Sequence, residues 1–266
     1  DDVFYPSVGL DSIGLTNFAA DNALQELATT FLSTFDVALQ PQFALDSLVD
    51  IIRNGSTMLE SLFGNKKTSV QVQAEVRDVL NSVYANAPTT VRNPTAIVED
   101  LQGTISMISS SLGARDATQL LTKAYSFTSG ANPAVVTSTR AKEIANRDAM
   151  FALFRGSAAI EAGRNAINVP YKSYEEAVTQ RDIITTMLDT EAEKAPDSTY
   201  LALDRLRKEL VRAVPGENNT LPRQAEFTTV ETLPSLTLAH YIYGDISNEA
   251  DIVARNDIRH PGFVTG

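Results

Sequence analysis

The sequence predicts a mostly α protein in which a multi-helix bundle is followed by a small α+β module. Three observations predict it. Apolar residues recur at helical spacing through most of the chain up to residue 214, capping residues stand ahead of the stripes, and the pattern changes after the loop Pro215–Pro222. That loop, Pro215-Gly216-Glu217-Asn218-Asn219-Thr220-Leu221-Pro222, gathers proline, glycine and asparagine and is the expected domain boundary. Residues 1–222 are read as a helical bundle domain with an acidic N-terminal segment, and residues 223–266 as the C-terminal module.

Within the first domain each stripe marks one buried helix face. The stripes are Leu45, Leu48, Val49 and Ile52; Val72, Val76, Val79 and Val83; and Ile97, Leu101, Ile105, Ile108 and Leu112. Ile144, Phe151, Phe154 and Ala158 form a further stripe, as do Ile183, Ile184, Met187 and Leu188, and Leu203, Leu206, Leu210 and Val214. Asn93-Pro94 supplies a cap and a first-turn proline, while Ser173 with Glu176 and Thr68 with Gln71 have capping-box spacing. Loops are expected at residues 64–67, 85–90 and 129–133, and roughly eight helices, some short, between residues 17 and 214. The small residues Gly156, Ala159, Gly163 and Ala166 line one side of a helix and allow close approach of another backbone, read as an internal crossing in preference to a subunit contact.

Beyond the loop, Phe227, Thr228, Thr229 and Val230 read as a short strand. A helix around Ser235–Tyr243, a turn at Gly244-Asp245 and a helix around Asn248–Asn256 follow. Leu233, Leu236, Ala239, Tyr243, Ile252, Val253 and Ile258 are expected to pack these two helices on a two-stranded sheet, with Gly244 ending the first helix at a positive φ. The turn Arg259-His260-Pro261-Gly262 would feed a second strand, of which Phe263-Val264 remain.

Composition limits the chemistry. The chain has no cysteine and only His240 and His260, so thiol nucleophiles, disulfides and zinc clusters lack their residues. The net charge is −11, and residues 1–52 hold eight acids and no base. The remaining 22 bases face 25 acids, which argues against a phosphate-backbone binder and for an acidic flank turned to solvent or a basic partner. The basic residues Arg205, Arg207, Lys208 and Arg212 share a helix with Glu209 and an apolar stripe, so they read as a solvated face. Gly55-Ser56-Thr57 and Gly156-Ser157 lack the other positions of a phosphate loop. Carboxylates at Glu175/Glu176 and Glu191/Glu193 do not face one another on a helix, and His240 reads as a packed or surface histidine. No catalytic residue, cofactor or metal is predicted. With no long apolar run and an acidic opening at Asp1-Asp2, the chain is expected to be soluble, and its start at Asp1 suggests a fragment of something longer.

The C-terminal segment carries a resemblance. Tyr243-Gly244-Asp245, then Asn256, Ile258, Arg259, His260, Pro261, Gly262 and Phe263 resemble the C-terminal region of the Mu-like bacteriophage tail family labelled DNA circularisation or N protein. The same stretch is similar to a LysM-like module, with its "T-L" helix start, Tyr-Gly turn and Asn-x-Ile turn, here in truncated form. The candidate fold and contact residues of that module are Leu233, Leu236, Tyr243, Gly244, Asp245, Ile252 and Asn256, with Ile258, Arg259, His260, Pro261, Gly262 and Phe263. The resemblance implies a structural tail, baseplate-hub or tail-tube initiation protein, made in the host bacterial cytoplasm and resident in the virion. Its partners would be tube, hub or spike and tape-measure proteins, and it would assemble in a ring of about three or six copies. It would not enter a membrane or, on its charge, bind DNA. Peptidoglycan binding by the LysM-like module and binding or circularisation of DNA ends stand as alternatives.

Overall fold

A computed structural model of the chain describes residues 12–36, 92–126, 137–216, 220–229 and 231–264, together with positions 78, 81 and 85. The chain divides into two compact units, Asp1–Pro222 and Arg223–Gly266. The expected stripes at 45–52 and 72–83, the Thr68/Gln71 box, the loops at 64–67 and 129–133 and positions 86–90 of the loop expected at 85–90 lie outside the described residues; Asp78 and Asn81 are helical, as is Ala85, where that loop was expected to begin.

The first unit is built on one long helix. In chain order its helices are α1 (Ser12–Thr34), α2 (Pro94–Ser111), α3 (Ala114–Tyr125), α4 (Ser138–Ala166), α5 (Tyr174–Ala192) and α6 (Asp197–Ala213). Helix α4 touches all five of the others, and at 1.5 Å per residue it runs roughly 43 Å through the bundle. Its sequence explains the placement: Met150, Leu153, Phe154, Ala158, Ala159, Ile160 and Ala162 are buried almost all the way round, as a helix surrounded by others requires. Around it Ile97, Leu101, Ile105 and Ile108 of α2, Leu120 and Leu121 of α3, Ile184 and Leu188 of α5, and Leu203, Leu206 and Leu210 of α6 complete one core. Each such side chain contributes about 1.5–3 kcal/mol on burial. Ile183, placed on the α5 stripe by sequence, is instead exposed.

Local chemistry sets the helix starts. Asn93 Oδ1 accepts the Thr95 N–H at 3.2 Å ahead of Pro94 in α2, and Thr137 Oγ1 accepts the Arg140 N–H at 3.1 Å in α4. Ser173 Oγ accepts the Glu176 N–H at 3.2 Å, while Glu176 Oε2 reaches back to the Lys172 N–H at 2.7 Å. This is the reciprocal arrangement of a capping box displaced by one residue, and Glu175 and Glu176 add negative charge at the N-terminal end of α5. The small residues of α4 face inward. A methyl group built on Gly156 would stand 2.7 Å from Leu27 Cδ2 of α1, and one on Gly163 would stand 3.8 Å from Ile184 Cγ2 and Leu210 Cδ2. The glycines therefore serve internal crossings.

The second unit differs from expectation. It holds α7 (Ser235–Tyr243), a 3-10 turn at Ile246–Asn248 and α8 (Glu249–Arg255). Among the described residues it has no strand, so the expected α+β, LysM-like fold is corrected to a pair of short helices closed by a single antiparallel bridge. In that bridge Leu233 N–H donates to Val264 O at 3.0 Å and Val264 N–H to Leu233 O at 2.8 Å. It cannot lengthen toward α7, because Pro234 follows at once and brings no N–H, and the next donor, Ser235 N–H, is spent on Pro261 O at 2.7 Å. Phe227, Thr228 and Thr229 are likewise irregular, with Val230 outside the described residues. β-branched residues favour a strand only where a partner takes up its N–H and C=O groups.

The packing register is corrected too. The buried side of α7 is Ser235, Leu238 and Ala239, facing Ile252 of α8, with Leu233, Ile258 and Val264 partly buried around them. Leu236 and Tyr243, expected in the core, are exposed. At 100° per residue they lie on one stripe, turned well away from Leu238.

Candidate functional site

Two kinds of surface could carry function, and they differ in what their residues are already doing. The first is the set of charged and polar groups inside the helical unit. Arg115 donates to Glu176 and to Pro170 O at 2.5 Å, joining α3 to the start of α5. Burial pushes the Glu176 carboxyl up, but the Arg115 guanidinium and the Lys172 N–H outweigh it and hold the group below the usual carboxylate range. Beside it Tyr171 Oη donates to Ala166 O at 2.9 Å, and burial, then the Glu176 charge, push the phenol up to about 12.

Deeper in, Glu161 of α4 is 2% exposed; its Oε2 accepts from Ser109 Oγ at 2.8 Å and its Oε1 lies 3.5 Å from Arg164. Asn165 Nδ2 completes the group by donating to Ser109 Oγ at 2.6 Å. Arg155 Nε similarly holds Glu191 at 3.1 Å. Asn146 takes the backbone N–H of Asp36 at 2.9 Å and gives its own amide N–H to Asp36 O at 2.8 Å, which fixes the chain where it leaves α1. Each cluster ties one helix to another or to a chain exit, while in the Glu161 cluster the buried Glu161 Oε1 and Arg164 Nε are left without a hydrogen-bond partner. Three of the four bases read as a solvated face are also engaged: Arg207 with Asp189 at 2.8 Å, Lys208 with Asp204 at 2.6 Å and Arg212 with Glu209 at 3.0 Å. Among the described residues no three His, Cys, Asp or Glu side chains gather as a metal site, and no helix is long and apolar enough to cross a membrane.

The second surface belongs to the C-terminal unit. Phe227, Leu236, Tyr241, Ile242, Tyr243, Ile246 and Phe263 are all exposed, Tyr241 to 72% and Phe263 to 76%. Helix α7, Ser-Leu-Thr-Leu-Ala-His-Tyr-Ile-Tyr, carries no formal charge at neutral His240. Its outward side carries exposed Thr237 and His240, with Leu236 and Tyr243 on one flank and Tyr241 on the other. Phe227 reaches the Tyr241 ring at a centroid distance of 5.6 Å, within the range of a favourable aromatic pair.

The residues singled out by sequence divide into scaffold and surface. Ile252 is buried, and Leu233 and Ile258 pack beside it. Gly244 ends α7 at φ +71°, with its N–H on His240 O at 2.9 Å, a backbone state in which a side chain is strained. Asp245 caps the 3-10 turn: its carboxylate takes the Ser247 N–H at 3.2 Å and the Ser247 hydroxyl, and these bonds hold its pKa below the usual range. Asn256 Nδ2 donates to Ile252 O at 2.9 Å and closes α8, while Asp257, at φ 49°, lets Ile258 N–H turn back to Val253 O at 3.1 Å. His260 O accepts the Phe263 N–H at 2.9 Å, making a four-residue turn over exposed Pro261 and Gly262, and Arg259 is exposed beside it. Leu236, Tyr243 and Phe263 are surface. Sequence reading missed Phe227, Tyr241, Ile242 and Ile246 as parts of that surface. The signal was available in a charge-free helix with apolar residues on more than one side.

No protein-family model matches the chain, and no curated protein matches it.

Proposed function

We propose that the protein is a structural component of a bacteriophage tail that acts in virion assembly through protein–protein contacts, with the helical unit as body and the C-terminal unit as docking element. The observation that carries this reading is the exposed aromatic and aliphatic surface of Arg223–Gly266, on a unit whose buried core is Leu238, Ala239 and Ile252. Exposed apolar side chains mark a contact surface where they gather in one patch, and here the Phe227 and Tyr241 rings are paired at the surface. The tail setting rests on the resemblance of Tyr243–Phe263 to the Mu-like tail family. In this reading the partners are tube, hub or spike and tape-measure proteins, the residence is the virion, and several copies assemble around the tail axis.

The test is to induce particles from the source bacterium, purify them and label them with an antibody raised against the chain. Gold at the tail or baseplate, and the chain among the particle proteins by mass spectrometry, are expected. Particles without the chain, or a source that yields none, would overturn the assignment.

A further inference from the structure

We propose that the Arg223–Gln224 peptide bond is a cleavage site for a trypsin-like endoprotease, whose cut detaches the C-terminal unit from the helical unit. From Leu221 to Thr229 the backbone is neither helix, strand nor turn, and Pro222 to Thr228 are seven exposed residues in a row. A protease takes its substrate as an extended strand laid along a cleft, and exposed chain without regular structure meets that demand with little unfolding. Arg223 lies inside this stretch, is exposed, and supplies the guanidinium that an acidic specificity pocket selects.

The stretch is fixed at both ends. Pro222 O accepts the Tyr174 N–H at 3.0 Å at the start of α5, and Leu221 packs against the core of the helical unit. On the other side Leu233 is held by its paired hydrogen bonds to Val264. A cut after Arg223 leaves Leu221 and Pro222 with the helical unit and Leu233 with the C-terminal unit, so neither unit loses these contacts. Other bases outside the helices are placed less well. The Lys172 N–H is bound to Glu176 Oε2 at 2.7 Å, and Ser173 after it is buried as the cap of α5. Lys194 lies in the short turn between α5 and α6, where its N–H is held by Glu191 O at 3.3 Å and that of Ala195 by Ala192 O at 3.0 Å. Arg92 is followed at once by Asn93, whose side chain caps α2. Arg259 opens a turn closed by the Phe263 N–H on His260 O, and Pro261 O in that turn holds the Ser235 N–H. The step at Arg223 is hydrolysis: the hydroxyl of water passes to the Arg223 carbonyl carbon and its hydrogen to the Gln224 nitrogen as the bond between them breaks. A carboxyl group at Arg223 and an amino group at Gln224 result, with no further reactant.

The experiment treats the full chain with a trace of trypsin under native conditions, stops digestion while most molecules are intact, and identifies the C-terminal fragments by mass spectrometry. The fragment Gln224–Gly266 should form at least about ten-fold faster than fragments beginning at Asn93, Ser173, Ala195 or His260, whose bonds wait for a local opening. Arg223→Gln should abolish that fragment, and Arg223→Lys, which keeps a cation that trypsin accepts, should retain it. Formation of Gln224–Gly266 no faster than any of the other four fragments would remove the site, as would its appearance only in urea. Particle labelling is unaffected by either result, so the tail reading stands or fails separately.

Discussion

Tyr171 shows how one half-buried side chain ties stability to pH. Its phenol donates to Ala166 O at 2.9 Å, and burial with the Glu176 charge raises its pKa to about 12. Below pH 10 the proton is held in the folded and unfolded chains alike. Between pH 10 and about 12 the unfolded chain releases it and the folded chain does not, so rising pH favours unfolding. Tyr171→Phe should therefore lower Tm at pH 8, where a hydrogen bond worth about 0.5–1.5 kcal/mol is lost, and show a smaller deficit or none at pH 11. Melting curves at the two pH values check this, and a constant deficit would remove the phenol from the alkaline response. Asn146 gives a second contrast. Asn146→Ala leaves the Asp36 N–H and C=O without the amide that now takes both, at a cost of about 1–3 kcal/mol. Lys142→Ala, which loses only an exposed contact of 3.4 Å to the Asp36 carboxylate, should stay within about 1 kcal/mol of the parent in urea unfolding.

At the scale of elements, two glycines of α4 should answer the same substitution differently. Gly163→Ala places a methyl at 3.8 Å from Ile184 and Leu210, ordinary contact, and should gain most of the roughly 1 kcal/mol by which alanine exceeds glycine inside a helix. Gly156→Ala meets Leu27 Cδ2 at 2.7 Å, and the shift forced on a buried leucine should cancel that gain or exceed it. Chemical denaturation of the two variants decides the point, and the same sign for both would show that Leu27 yields freely. The internal crossing was legible in the sequence because small residues at helical spacing have few other uses. The starts of α2 and α5 were legible for the same kind of reason, since Asn93-Pro94 and Ser173 act on their own backbone. Helix α1 gave no such stripe because its inward positions, Ala19, Ala23, Leu27 and Phe31, begin with alanines, which show their periodicity only once their neighbours are known. In the C-terminal unit the helices and the Gly244 stop were legible and the sheet was not. A strand depends on a distant partner, and Pro234 limits that partnership to one residue pair.

At the scale of the whole chain, the two units have very different means of holding together. The first surrounds α4 with helices on every side and fills the space with large aliphatic side chains. The second spends about 40 residues to bury Leu238, Ala239 and Ile252, and it has neither a disulfide nor a sheet to compensate among the described residues. A chain segment with so little apolar burial opens at a small fraction of the free energy needed to unfold a full core, and hydrogen exchange reads such openings directly. Amides of α7 and α8 should therefore exchange orders of magnitude faster than those between Leu153 and Gly163 in α4. Exchange at one common rate would mean that the two units unfold together, and the second would then need a source of stability that its own core does not supply.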